Sequence, residues 1–341
     1  MDASAHRRHP ARACRRAGLL LALGVVAGCA TPPQTARVLE ERPPGLSPRA
    51  ELTDVPFHAQ DRYQCGPAAL AMSLGDLGRE VTPDELVDEV YVPEKRGSLR
   101  TEMRAAARAR GAVPYPLRPD LGALLREIDA GRPVLVMQNL ALDWWPQWHY
   151  AVAVGYDLER GEIVLRSGED RRRVTGLDTF ERTWMRARRW AQVVVDPRDP
   201  PATANRLTWL RSVRELEATG QTEAALEGYR AATERWPQAR AAWMARGNAA
   251  YQLDRPADAR AAFLRAVELD PEAADGWNNL AYTLADTGCG AAALDAARCA
   301  VRIAPDDPEA ADTLDELSST PQAQALDAAC GIPACPVEGG E

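Results

Sequence analysis

At 341 residues the chain is long enough for two domains, each able to bury its own core. Its 49 acidic residues outnumber 41 basic ones, for a formal charge of −8, and residues 1–28 hold five arginines and one aspartate, so a chain cut after Gly28 would stand at −12. That balance argues against nucleic-acid binding, which needs a basic face to displace counterions from phosphates.

The first 28 residues read as an address. Arg7, Arg8, Arg12, Arg15 and Arg16 precede an apolar run from Leu19 to Val26, and small residues lead to Cys29. The run is too short for a permanent membrane-spanning helix. Val26-Ala27-Gly28-Cys29 resembles the bacterial lipobox, which implies a diacylglyceryl group on the Cys29 thiol, cleavage before it and acylation of the new amine. An ordinary cleaved signal or an uncleaved anchor are the alternatives. Ala30 stands where an aspartate would imply inner-membrane retention, so the resemblance implies an outer-membrane lipoprotein facing the periplasm, with the membrane as partner through its N-terminal lipid. Residues 29–50 contain Pro32, Pro33, Pro43, Pro44 and Pro48 and no apolar period, which predicts an extended tether.

Between 51 and 200, helix-like stretches near 66–77, 82–91, 98–110 and 119–130 come first. Valine-rich runs over Pro133–Met137, His149–Tyr156, Glu162–Leu165 and Ala191–Val195 come later. Helices followed by strands predict an α+β domain rather than a doubly wound sheet. Arg171, Arg172 and Arg173 read as a solvated turn between strands.

Beyond residue 205 the pattern turns to alanine-rich helices with a period of 34 residues. Trp209, Trp243 and Trp277 keep it, as do Ala225, Ala259 and Ala293; Ala232, Ala266 and Ala300; and Pro237, Pro271 and Pro305. Tyr229 and Phe263 hold the same register, where the third unit has Ala297. This resembles the tetratricopeptide repeat: three repeats over 206–307, a capping helix over 308–329 and a cysteine-containing tail to 341, forming an all-α solenoid. The resemblance implies a protein partner for the repeats.

Seven cysteines sort by position. Cys14 leaves with the leader and Cys29 is the lipidation site. Cys289, Cys299, Cys330 and Cys335 form up to two disulfides in an oxidising compartment, with three pairings open. Only Cys65 remains in the first domain. Gly66 and Pro67 follow it, and proline suits a first helical turn, so the thiol is expected at a helix N-terminus, where free N–H groups would lower its pKa. His6 and His9 leave with the leader, so the base is His58 or His149. His58 lies seven residues before Cys65 and would need a fold-back; His149 opens a valine-rich strand, a rigid platform for a base. A zinc site on Cys65, His58 and His149 lacks a fourth ligand, and no cofactor is expected.

The segment Gln64-Cys65-Gly66-Pro67-Ala68-Ala69-Leu70, followed by Trp148-His149-Tyr150-Ala151-Val152-Ala153-Val154-Gly155-Tyr156-Asp157, resembles the bacteriocin-processing, double-glycine leader peptidase family of the papain-like superfamily, over about 53–196. The resemblance implies a papain-like fold with Cys65 as nucleophile, His149 as base and Gln60 as oxyanion donor, Gln64 being too close to reach back. Family members orient the histidine with Asp or Asn on the following strand. Here that strand reads Glu162-Ile163-Val164-Leu165-Arg166-Ser167-Gly168, which leaves Ser167, a carboxylate swung in from Asp157 or Asp170, or a bare dyad. Trp144, Trp145 and Trp148 are candidate walls of the substrate cleft.

The leading expectation is a membrane-anchored, periplasm-facing cysteine peptidase that cleaves a peptide or protein substrate, with the repeats recruiting substrate or partner. The alternatives are an inactive peptidase-like lipoprotein scaffolding the envelope through its repeats, and a thiol amidase acting on peptidoglycan. The terminal Gly339-Gly340-Glu341 reads as a disordered tail.

Overall fold

The computed structural model describes residues 31–59, 64–95, 97–319 and 330–336. Cys29, Gln60, the second half of the helix expected over 308–329 and the terminal Gly339-Gly340-Glu341 lie outside the described residues.

Of the extended tether expected over 29–50, the described residues 31–50 are instead packed onto the first domain. Pro33 begins helix α1 (Pro33–Glu41), where a fixed φ is favourable and a missing N–H costs nothing. The N–H and hydroxyl of Thr35 donate to the buried Glu181 carboxylate at 2.6 and 2.8 Å, and Val38 is buried. These partners lie about 145 residues away, so proline content alone could not reveal them. Strand β1 (Arg49–Glu51) follows.

Helices α2 (Cys65–Gly75), α3 (Pro83–Val90) and α4 (Arg100–Ala109) come next, with the hairpin of β2 (Tyr91–Val92) and β3 (Gly97–Ser98) between the last two. A capping box starts α3: Thr82 Oγ accepts the Glu85 N–H, and the Glu85 carboxylate accepts the Thr82 N–H. The rest of the domain is β4 (Val113–Pro116), α5 (Leu121–Asp129), β5 (Val134–Asn139), β6 (Trp148–Asp157), β7 (Glu162–Ser167), β8 (Asp170–Gly176), α6 (Leu177–Arg186) and β9 (Ala191–Val195).

Apart from the β2–β3 hairpin, the strands form one antiparallel sheet in the order β4-β9-β5-β6-β7-β8, with β1 also on β6. β5 pairs Val134–Asn139 with Ala153–Trp148, and β1 takes over at Gly155–Asp157. Gly155 permits that contact, since a Cβ built there would stand 2.9 Å from the Ala50 carbonyl oxygen. Arg171, Arg172 and Arg173 lie on the exposed strand β8 rather than in a turn, and Arg172 pairs with Glu51.

Alternation along the strands divides the buried side chains into two cores. Leu135, Tyr150, Val152, Val154, Val164 and Val194 face α2, α3 and α4. Val136, Ala151, Ala153, Leu165 and Val193 face α1, α5 and α6, and this second core runs on into the repeats.

Among the described residues seven helices make the C-terminal part: α7 (Arg206–Glu217), α8 (Thr222–Arg235), α9 (Arg240–Gln252), α10 (Pro256–Leu269), α11 (Ala274–Asp286), α12 (Gly290–Ile303) and α13 (Pro308–Ser319). The 34-residue spacing has a physical origin. Trp243 donates its indole N–H to the Pro237 carbonyl at 2.9 Å, and Trp277 does the same to Pro271 at 2.8 Å. The alanines in register let the helices approach. The cysteines resolve into Cys289–Cys330 and Cys299–Cys335, which fasten the described tail to α12.

Helix α7 covers the edge of the sheet. Trp209 lies against Tyr115 of β4 with ring centroids 6.3 Å apart, and Arg108 pairs with Glu215. Glu127, fully buried, accepts the N–H groups of Ala202 and Thr203 in the connecting segment. Sheet and first repeat therefore share apolar contacts and a buried charge-assisted cap. Trp209→Ala should cost about 3–5 kcal/mol. Urea unfolding followed by circular dichroism and by near-ultraviolet signals of the first domain should show both transitions shifting to lower urea together.

Candidate active site

Cys65 is the first residue of α2 and is half-buried, the one cysteine without a disulfide among the described residues. The neighbouring backbone N–H groups of Tyr150 and Gly66 favour its thiolate. Cys65 packs against the core that contains Tyr150, the residue that follows His149. Gly66 is the sterically constrained neighbour. A Cβ built there would overlap the Ser98 side chain, so β3 and α2 could not approach as they do.

The expected lowering of the thiol pKa is not what the surroundings produce. Burial pushes the Cys65 thiol up, and this outweighs the N–H groups that favour the thiolate. A helix N-terminus favours the anion only as far as removal from water does not penalise it more.

His149 is the second residue of β6, and its Nε2 lies 2.8 Å from Ser167 Oγ. The register explains this contact. Val152 pairs with Arg166, so one further step sets Ser167 opposite Ala151, on the same face as His149. In the tautomer that donates Nε2–H to Ser167, Nδ1 carries the lone pair. Asp157 lies eight residues along β6, about 26 Å away, and accepts the N–H groups of Glu159 and Arg160. Asp170 pairs with Arg173 at 3.6 Å. Burial, with a smaller contribution from the Arg173 charge, lowers the imidazole pKa to about 4.

His58 belongs elsewhere. It lines a cavity of about 500 Å³ with Gly75, Val81 and Glu85. Gly75 ends α2 ten residues after Cys65, about 15 Å along the helix.

Three residues without a sequence signal support the site. Gln138 pairs with His149 across the sheet and donates Nε2–H to Thr183 Oγ at 2.6 Å, fixing α6 beneath. Asn139 is buried, and its Oδ1 accepts the N–H groups of Ala141 and Gln147 at the base of the β5–β6 loop. The Tyr150 hydroxyl donates to the Ser98 carbonyl at 3.3 Å, and its ring meets Trp190 edge-on. Trp144, Trp145 and Trp148, expected as cleft walls, project into solvent at 78, 74 and 51% exposure. Among the described residues no three His, Cys, Asp or Glu side chains gather as a metal site, and no helix is long and apolar enough to cross a membrane.

Residues 52–192 match the model of the Peptidase_C39 like family, a span that contains Cys65, His149 and Ser167. Residues 210–271 and 245–308 match the tetratricopeptide repeat. Among solved structures, a candidate C39-like peptidase from Bacillus anthracis aligns at 20% identity over 43% of this chain and 97% of its own, with a TM-score of 0.37. The first tetratricopeptide domain of Spaghetti (RPAP3), bound to an HSP90 peptide, aligns at 17% identity over 33% and 90%, with a TM-score of 0.32. The MamA protein aligns at 21% over 33% and 62%, with a TM-score of 0.31. No curated protein matches the chain.

Two outcomes follow from this geometry. Gly66→Ala should destabilise the chain by about 1–3 kcal/mol and change the alkylation rate of Cys65, read by urea titration and by mass spectrometry. For His149, the unfolded chain holds a proton between pH 6.5 and 4 that the folded chain lacks. Its contribution to stability is therefore fully present above pH 6.5 and is lost as pH falls to 4. His149→Gln should flatten the dependence of the urea midpoint on pH across that window, and the His149 ring resonances of the wild type should titrate near pH 4.

Proposed function

We propose that this chain, in which a Peptidase C39-like family domain precedes C-terminal tetratricopeptide repeats, is a lipid-anchored thiol peptidase of the bacterial cell envelope. What supports this reading is the placement, within the family-matched span, of Cys65 at the start of α2 and of His149 at the start of β6, its imidazole bonded to Ser167. Cys65 is the nucleophile, His149 the general base, Ser167 the orienting hydroxyl and Gln60 the oxyanion donor.

Chemistry begins with a neutral pair. His149 takes the thiol proton, the thiolate adds to the scissile carbonyl, and His149 returns the proton to the leaving amine. Water then attacks the thioester with His149 again as base. Ser167 stabilises the transient imidazolium less than a carboxylate would. With a thiol raised and an imidazole lowered by burial, proton transfer is uphill in the resting chain, so substrate must supply part of the activation. The two disulfides support export, because such bridges persist in oxidising compartments. The repeats are a protein-interaction module, and in this reading they present the substrate or a partner to the first domain.

The same electrostatics favour a second reading, a silent peptidase-like domain whose repeats scaffold an envelope complex. Comparing new protein N-termini in envelopes of cells carrying wild type or Cys65→Ala separates the two. Peptides present only with the wild type are expected, whereas identical profiles together with a Cys65 that labels only after denaturation would leave the scaffold. Within the peptidase reading, Ser167→Asp should raise turnover and Ser167→Ala lower it by about tenfold or more. Unchanged turnover in Ser167→Ala would remove Ser167 from the mechanism.

A further inference from the structure

Half of the exposed large apolar side chains among the described residues fall within nine consecutive positions: Leu140, Leu142, Trp144 and Trp145 on the loop from β5 to β6, and Trp148 at the start of β6. A patch of this kind marks a surface that meets something apolar. The loop is built to present it. Asn139 Oδ1 takes the N–H groups of Ala141 and Gln147, the Leu140 N–H donates to the Gln147 carbonyl at 2.9 Å, and the Trp145 N–H donates to Leu142 at 3.1 Å. These bonds fix the backbone while Trp144 and Trp145 remain in water.

Helix α6 links this loop to the point where the chain joins the fold. Arg186 Nε donates to the Asn139 carbonyl at 3.2 Å, and Met185 beside it is exposed. Five residues earlier, about 7.5 Å along the helix, Glu181 binds the Thr35 N–H at the start of α1. Only four peptide steps separate Pro33 from Cys29, at most about 14 Å. If Cys29 carries lipid, as the proposed function has it, the bilayer surface lies within reach of this same helical layer. Tryptophan and leucine at a loop tip, with Arg186 behind them, is the composition of a membrane-interface segment. Asp143 between them limits burial to the headgroup region.

We propose that the β5–β6 loop is a second membrane contact, with Leu142, Trp144 and Trp145 entering the headgroup region of the phospholipid bilayer that holds the N-terminus. The four-residue link fixes distance and not orientation; the loop supplies orientation. His149 follows Trp148 directly, so the site is held at the membrane surface, and substrates lying on that surface reach it first.

The test uses the full chain on vesicles of phosphatidylethanolamine and phosphatidylglycerol carrying brominated acyl chains, with tryptophan emission as readout. Wild type should be quenched, and most of the quenched fraction should vanish in Trp144→Phe/Trp145→Phe, which keeps the apolar surface and removes the indoles. In an unlipidated Cys29→Ser chain, Trp144→Ser/Trp145→Ser should weaken vesicle binding by about tenfold or more. Equal quenching in wild type and the double Phe variant overturns the proposal. So does emission that ignores vesicles and shifts blue with a soluble apolar peptide, which would make the loop a peptide subsite. The anchor is read separately from the mass of the N-terminal peptide: an unlipidated peptide with quenched indoles refutes the anchor alone, and a lipidated one with unquenched indoles refutes the loop contact alone.

Discussion

Strand β6 is the constraint on which the rest depends. It is hydrogen-bonded along both edges, to β5 and β1 on one side and β7 on the other. That ladder fixes where His149 stands and which β7 residue can meet its ring. An extended strand paired on both edges has little freedom to shift by one residue, since a slip would turn Ala151 and Ala153 out of one core and Val152 and Val154 out of the other. The candidate site is thus a by-product of a register enforced by burial.

Burial also sets the resting electrostatics. The thiol and the imidazole are both taken out of water, and each responds by favouring its neutral form. Among the described residues no carboxylate bonds the histidine, and the nearby Arg173 charge works against protonation. A hydroxyl at this position holds the ring by one hydrogen bond without offsetting its charge. Both groups are therefore held in their neutral forms by the same loss of water.

The two halves of the chain are joined more closely than beads on a string. Trp209 serves the first repeat and the sheet edge at once, and Glu127 caps the segment between them from inside the first domain. At the far end, two disulfides hold the tail on α12. The repeats are thereby anchored to the sheet at one end and clamped at the other, which gives a partner bound to them a defined direction relative to β6.

By itself, the sequence determined the α+β order of the first domain, the three repeats, and the short list of groups able to do chemistry. Those features are local or periodic: an apolar alternation, a 34-residue recurrence, a glycine and a proline after a cysteine. Elimination by position reached Cys65 and His149 because few cysteines and histidines competed. Tertiary structure alone decided the rest. Residues 33–41, in the segment read as an extended tether, became helix because a buried glutamate from α6 caps them, and three arginines became an edge strand because β7 supplied a partner. Ser167 met the histidine through cross-strand register, and the cysteine pairs were chosen by where the tail lies on α12. The sign of the thiol shift also belonged to the fold. A helix N-terminus can be read from residue order, whereas the water excluded around it depends on chain segments that sequence proximity does not connect.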